Sequence, residues 1–373
     1  MPLPSACPHC AGRLRPVRVA TQIQEEIIVP RPHVRRFEVQ IGACRQCGRR
    51  VQGRHPLQTT DALGAASTHL GPQAVALIVL LNKQLGLSHG KVRTLLQEWF
   101  GLSVTASAIT QALHRAARAA APTYDALCAT VRGSPIVSPD ETSWKVAGER
   151  WWLWVFATTA TVVYALAPGR GFPEAAAILG AEFSGVLVRD GWAPYREFRA
   201  ARHQSCLAHL LRHCHTLRDT FPDAALPRDV EAILRGALAL RDQRHADTIP
   251  AAAFAQRRDR LFARLLQILD RPVEPLLLQR LVGHVVRQGE GIFEFLFNPA
   301  VDATNWRAEQ ALRPAVVNRK VSGGHRSPVG ARTQEILTSV IQTARLRDIG
   351  PRDVLVDLLR APHPQPSAHL ALQ

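Results

Sequence analysis

From residue 136 the apolar positions recur with a period near two. "IVSPDETSWKV", "WWLWVFAT" and "TVVYALAP" are β-branched and aromatic runs that predict three consecutive strands, with "GERW" as a tight turn between the first two. "GFPEAAAILGAEF" then predicts a helix. "GVLVRDGWAPY" predicts a short buried strand that ends in Asp190 and Gly191. Upstream, "LSHGKVRTLLQEWFGLSVTASAITQAL" reads as a helix, a Gly-containing turn, a cap at Ser103 or Thr105, and a second helix. That order fits a helix-turn-helix, and it equally fits a helical hairpin that never meets DNA. The interval 216–297 is rich in Ala, Leu and Arg and reads as helical. "VDATNWRAEQALRPAVVNRK" predicts a further helix capped by Asp302 or Thr304. "APHPQPSAHLALQ" reads as a loose tail.

Near the N-terminus the pattern is different. "EEIIVP" and "HVRRFEVQI" predict short strands between two Cys-x-x-Cys pairs, Cys7 and Cys10 in "CPHC" and Cys44 and Cys47 in "CRQCG". Four soft thiolates presented by two turns suit one tetrahedral zinc ion, and such a zinc ribbon replaces a core too small to fold alone. Arg35, Arg36, Arg45, Arg49 and Arg50 would then stand on a stiff frame as DNA contacts, or form an ordinary solvated face. Four of the seven cysteines fall in these pairs, which suits metal binding in a reducing compartment better than a disulfide framework.

Charge narrows the partners. The 373 residues carry 46 Lys and Arg against 30 Asp and Glu, a formal net charge of +16. Such a field favours a polyanion, nucleic acid first and an anionic membrane surface second. The longest apolar run, "AVALIVLL", is eight residues and too short to span a bilayer, and "MPLPSACPHC" has neither the basic start nor the apolar core of a signal peptide. The expectation is a cytoplasmic protein with no membrane partner.

Two carboxylates stand out because they fall in predicted sheet. Along an extended strand Asp140, Thr142, Trp144 and Val146 share one face while Glu141 points the other way. Asp190 follows a buried strand and precedes a Gly, the place where open α/β sheets put ligand groups. If the two strands were neighbours the acids would repel, and a divalent cation would remove that cost; the plain alternative is two acids at strand edges. Glu309 is the third candidate, on one helical face with Asn305 and Arg313, although Glu309 with Arg313 also makes an ordinary surface ion pair. Basic residues collect after it: Arg313, Arg319, Lys320 and Arg326, the last in a "SGGHRS" loop that could cradle a phosphate or simply turn the chain. In "CLAHLLRHCH", Cys206, His209 and His213 lie on one helical face and could bind zinc or fix the helix against the sheet.

"PDETSWKV", "YALAPGRGFPEA", "GVLVRDGWAPY", "CLAHLLR" and "NWRAEQALRPAVVNRK" occur in the order seen in bacterial transposases of the insertion sequence sixty-six family, which the chain resembles to about residue 355. The resemblance implies a DDE recombinase with an RNase H-like core, its catalytic acids matching Asp140, Asp190 and Glu309, and the Cys-x-x-His signature matching Cys206 and His209. The family's Asp-Asn-Asn run before Arg-Ala-Glu is replaced here by "DATNWRAE". Two Mg²⁺ (or Mn²⁺) ions at the acids and one structural Zn²⁺ are the implied cofactors. Implied partners are transposon-end and target DNA, a homodimer or higher oligomer in the synaptic complex, and small accessory proteins.

The resulting expectation is a multidomain α/β chain with a zinc-ribbon-like module at 1–58 and a helical DNA-binding segment at 59–130. An RNase H-like mixed-sheet catalytic core follows at 131–215 and 298–358, interrupted by a helical insertion at 216–297, with the tail at 359–373. The competing functions are a non-catalytic zinc-containing DNA-binding regulator and an RNase H-like nuclease without strand transfer.

Overall fold

The computed structural model describes residues 3–27, 31–58 and 69–371. In the N-terminal segment, strands β1 (Ile41–Ala43) and β2 (Arg50–Gln52) form a two-stranded antiparallel sheet. The Cys-x-x-Cys turns share one backbone form: Cys7 N–H donates to Gly12 O and Ala11 N–H to Cys7 O, as Cys44 N–H does to Arg49 O and Gly48 N–H to Cys44 O. Ala11 and Gly48, each directly after the second cysteine, have φ of 57° and 68°. The strands expected at 25–30 and 33–41 do not form over residues 25–27 and 31–40, and 28–30 lie outside the described residues. Residues 31–40 are almost all exposed, so Val34, Phe37 and Val39 find no apolar layer to bury against.

The opening of the predicted helical region, 59–68, lies outside the described residues. After it, α1 (Pro72–Val79) runs into a π turn at Leu80–Gln84, followed by α2 (His89–Phe100) and α3 (Ala106–Arg132). Ser88 and Thr105 cap α2 and α3, each side-chain oxygen accepting from a backbone N–H three residues on. Gly101, with φ 66°, ends α2 in a left-handed turn that a side chain would strain. The helix–turn–helix order is therefore present, but α3 continues for 27 residues. Ile109, Leu113, Tyr124 and Leu127 on α3 lie in one core with residues of the main sheet.

That sheet has five strands: β3 (Ile136–Val146), β4 (Glu149–Ala157), β5 (Val162–Ala167), β6 (Val186–Arg189) and β7 (Arg202–Ser205). Their order is β5-β4-β3-β6-β7, antiparallel across the first three and parallel from β3 onward. The mixed order agrees with the RNase H-like core expected. The turn between β3 and β4 is Ala147–Gly148, both with positive φ, and not "GERW": Glu149 already pairs with Val146. Two consecutive positive-φ residues match the twist of a hairpin, and the turn needs no more.

Both faces of the sheet are covered, which is why "WWLWVFA" is apolar at consecutive positions. Trp154, Phe156 and Leu187 face α3, α4 (Phe172–Leu179) and later helices, whereas Val186 and Val188 face the helical insertion. α5 (Leu207–Thr220) leads out of the core into that insertion, which continues with α6 (Ala225–His245), α7 (Ala251–Leu269), α8 (Leu276–Gln288) and the short α9 (Glu294–Phe297). α10 (Trp306–Ser322) packs Ala308, Leu312 and Ala315 against Trp144, Leu153 and Val155 on β3 and β4. α11 (Pro328–Leu346) and α12 (Pro351–Arg360) complete the fold.

α11 also closes the edge of the sheet. Glu335, Ser339 and Thr343 accept the backbone N–H groups of Leu166, Tyr164 and Val162 at 2.6, 2.9 and 3.0 Å. Four helical residues rise about 6 Å and two strand residues about 6.6 Å, so side chains four apart meet alternate strand donors. The edge is satisfied without another strand. Among the described residues no helix is long and apolar enough to cross a membrane.

Candidate active site

The sheet register brings the two acids to one level. Val137 on β3 pairs with Leu187 on parallel β6, and Asp140 and Asp190 each stand three residues further on. Pairing between β3 and β6 stops at that point, as Pro139 has no N–H to continue it. The two carboxylates thus stand level, Asp140 within β3 and Asp190 just past the end of β6. Asp190 Oδ1 accepts from Trp192 N–H at 2.9 Å and Asp140 Oδ1 from Glu141 N–H at 2.8 Å.

Glu309 approaches from α10 and its charge acts on Asp140, but among the described residues the carboxylate oxygens of Asp140, Asp190 and Glu309 do not all lie within 4.8 Å of one another. Asn305 sits at the helix cap position; its Nδ2 donates to Pro139 O at 2.8 Å and its backbone N–H to Cys206 Sγ at 3.3 Å, while Leu207 N–H donates to Ala303 O. These bonds stitch the start of α10 to Pro139 within β3 and to Cys206 just after β7, and Glu309 lies in the first turn beyond them. The expected cap by Asp302 or Thr304 is not made. Asp302 instead pairs with Arg307 at 2.7 Å, and the helix starts one residue after Thr304's neighbour Asn305, whose side chain is drawn to Pro139.

The electrostatics fit this arrangement. Burial is the largest influence on Asp140 and, with the charges of Glu141, Asp190 and Glu309, pushes its carboxyl up to about 7 against the pull of its backbone hydrogen bond. Asn305 Oδ1 is buried with no hydrogen-bond partner. A patch of hard oxygen donors with excess negative charge is a fit for a divalent cation such as Mg²⁺.

Cys206, His209 and Glu309 offer ligand atoms that all lie within 4.8 Å of one another, with His209 Nδ1 4.0 Å from Glu309 Oε1. This cluster could hold a metal ion. His213 does not join it: its ring packs edge-on to His284 of α8, centroids 6.3 Å apart. The helical spacing from Cys206 misleads because Cys206 is the cap of α5, with ψ 107°, and helical phase begins at Leu207. Cys214 is buried in the insertion core, which pushes its thiol up to about 12. Cys7, Cys10, Cys44 and Cys47 form their two turns, and among the described residues no three of them lie within 4.8 Å of one another.

Glu141 is the residue that sequence reasoning passed over. On the face of β3 opposite Asp140 it accepts from Arg170 Nε at 2.7 Å and from Tyr195 OH at 2.6 Å. Arg170 in turn stacks over Trp192 (3.9 Å) and Trp152 (4.7 Å), and its carbonyl accepts from Trp192 Nε1. Since Trp192 N–H holds Asp190, the second acid of "DET" anchors the loop that carries the neighbouring aspartate. Its signal was available: strand alternation points Glu141 into an apolar face, where a carboxylate needs a partner.

The predicted DNA-contacting cations divide. Arg35, Arg36, Arg45, Arg49, Arg50, Arg313, Lys320 and Arg326 are exposed, Arg36 pairing with Glu38 at 3.0 Å. Arg319 instead bonds to Thr142 Oγ1 (3.0 Å), Ser143 O and Ser143 Oγ, tying α10 to β3. The "SGGHRS" loop packs on the β3 hairpin: His325 N–H donates to Lys145 O, Ala147 N–H to His325 O, and Trp144 Nε1 to His325 Nδ1 at 2.9 Å. A Cβ on Gly324 would collide with Lys145 O, so a glycine is required for this closure.

Comparison with known proteins bears on this site. The model of the family described as "Transposase IS66 family" matches residues 67–333, a span that contains Asp140, Asp190, Cys206, His209 and Glu309. The uncharacterized protein y4jD of Sinorhizobium fredii is 25% identical over 95% of this chain and 74% of its own length. The uncharacterized protein y4qI of the same organism is 24% identical over 56% of this chain and 43% of its own length, so the match spans less than half of that relative.

Proposed function

The chain belongs to the transposase IS66 family, and from that premise we propose that it is a DDE-type DNA transposase that cuts transposon ends and joins their 3′-hydroxyls to target DNA. The observation that carries this reading is that three acids act on one another's charge: Asp140 and Asp190 stand level on adjacent strands, and Glu309, on a helix whose start is bonded to Pro139 and Cys206, helps to raise the Asp140 carboxyl. Asp140, Asp190 and Glu309 would hold Mg²⁺ or Mn²⁺. Bound there, such ions supply activation of the attacking oxygen and stabilisation of the leaving oxygen in an in-line displacement.

The protein's own part is positional. In the first step water adds at phosphorus at the transposon end and the 3′ oxygen leaves as a hydroxyl. In the second, that hydroxyl attacks a target phosphodiester, forming one P–O bond as another breaks, so no ATP is needed. Asn305 fixes Glu309 relative to Asp140, and Trp192 fixes Asp190. Exposed Arg313, Lys320 and Arg326 would contact phosphate along α10 and the loop after it.

End recognition falls to the N-terminal parts in this reading. Two turns of matching backbone at Cys7–Cys10 and Cys44–Cys47 support a structural zinc module carrying Arg35, Arg36, Arg45, Arg49 and Arg50, and α2 with the start of α3 supports a helix-turn-helix. The proposed divisions remain 1–58, 59–130, the core at 131–215 and 298–358, the insertion at 216–297 and the tail at 359–373. Synapsis of two ends calls for at least a dimer, with accessory proteins as further partners, acting in the bacterial cytoplasm on nucleoid DNA.

Incubation with candidate end DNA, a supercoiled target and Mg²⁺ tests the proposal. Joined product is expected. Cutting without joining would point to a nuclease, and binding without either to a regulator.

A further inference from the structure

Beside the hard oxygen site stands a donor set of different chemistry. Cys206 Sγ, a His209 ring nitrogen and a Glu309 carboxylate oxygen lie within 4.8 Å of one another. We propose that Cys206, His209 and Glu309 form a second site, for a borderline-soft divalent ion of the zinc class, and that Glu309 is contested between this site and the acids Asp140 and Asp190; the contest rests on the function proposed above, the site itself does not.

Three features support it. The ligand types are those zinc takes, one thiolate, one imidazole and one carboxylate, whereas Mg²⁺ rarely takes sulfur or nitrogen. With bonds of about 2.0–2.3 Å, tetrahedral ligands stand roughly 3.3–3.8 Å apart, so the three atoms need to close by about 1 Å. His209 Nδ1 is a buried atom with no hydrogen-bond partner, and it faces Glu309. A buried imidazole nitrogen without a partner costs stability unless something fills its coordination. The thiol is also pre-set. Asn305 N–H donates to Cys206 Sγ, which aims the sulfur at the start of α10.

The contrast with the neighbouring thiol sharpens the assignment. Cys206 Sγ has the Asn305 N–H at 3.3 Å and a His209 ring nitrogen within 4.8 Å. Cys214, two turns along, has no such partners. Binding at Cys206 would release one proton and form one metal–sulfur bond. The side chains of His209 and Glu309 are 41% and 39% exposed, so an ion can reach them and a fourth position stays open to water. Because one carboxylate cannot serve both sites in the same geometry, a zinc-class ion here draws Glu309 from the hard site.

The test is a titration of the full chain with Co²⁺, whose thiolate charge-transfer band reports sulfur ligation. The N-terminal thiols give a band of their own, so the reading is the difference between wild type and Cys206→Ser. One equivalent of band should vanish in Cys206→Ser, persist in Cys214→Ser, and need about tenfold or more cobalt in His209→Ala. Superimposable wild-type and Cys206→Ser spectra would overturn the site. If Cys206→Ser fails the circular-dichroism check of folding, His209→Ala carries the same decision. In a second arm, Zn²⁺ added to Mg²⁺-supported joining should inhibit wild type at lower concentration than His209→Ala; equal inhibition would overturn the contest for Glu309. Absence of joining in Mg²⁺ alone would overturn the proposed function and leave the cobalt result to decide the site by itself.

Discussion

Glu141 and Arg170 form an ion pair at 2.7 Å on the face of β3 opposite Asp140, with the Glu141 side chain 1% exposed. Two consecutive acids therefore do opposite jobs. Asp140 belongs to a cluster of like charges, and Glu141 is neutralised so that its strand can be buried. Arg170→Ala would leave that carboxylate without its cation. Loss of about 3 kcal/mol is expected from breaking a buried pair, read by urea unfolding, with Glu141→Gln milder because Tyr195 keeps an acceptor. Similar stability of Arg170→Ala and wild type would show that the pair does not anchor the loop.

Asp140 should make the metal-free protein less stable as pH rises. Its folded value of about 7 lies above the ordinary 3.8, so the folded state holds the proton more tightly between those values. Stability is then highest below about pH 4, falls as pH climbs toward 7, and is flat above. Asp140→Asn should unfold at higher urea than wild type at pH 8 in chelator, by about 1–3 kcal/mol, with little difference at pH 4. A wild type whose stability does not decline over this window would refute the clustering of charge.

Ser339→Ala should cost about 1–3 kcal/mol, because it strands the buried N–H of Tyr164 on the sheet edge. Thr343→Val should do the same to Val162. The loss is specific to a hydrogen bond: Ser339→Thr retains the hydroxyl, and its denaturation midpoint is expected to fall between those of wild type and Ser339→Ala.

Asn305 acts through Glu309 rather than on DNA. Asn305→Ala removes the bond to Pro139 O, and strand joining is expected to fall about 10–100-fold with end binding unchanged in a mobility-shift assay. Restored joining at raised Mn²⁺ would agree with a displaced ligand, whereas unchanged joining would dismiss the stitching role.

The strands of the sheet were legible because "WWLWVFATTATVVYALAP" is apolar and β-branched on both faces, and only a covered sheet accommodates that. Asp140 and Asp190 were legible for the same reason, as acids in or just after such runs. What the sequence hid were pairings between distant residues. Asn305 displaced the expected cap because its amide bonds a carbonyl 166 residues away. His213 fell away from Cys206 because the helix starts one residue later than the spacing assumes. The N-terminal strands failed where alternation had nothing to pack on. Strand alternation marked Glu141 as an acid in need of a partner, but that Arg170 is the partner showed only in the fold.

Asp140, Asp190 and Glu309 are proposed to act as one centre. The most direct test compares joined product, with Mg²⁺, end DNA and supercoiled target, for wild type and for Asp140→Ala, Asp190→Ala and Glu309→Ala. Product from wild type that disappears in each variant, while end binding persists in all, is the predicted result; undiminished product in any one of the three would contradict it.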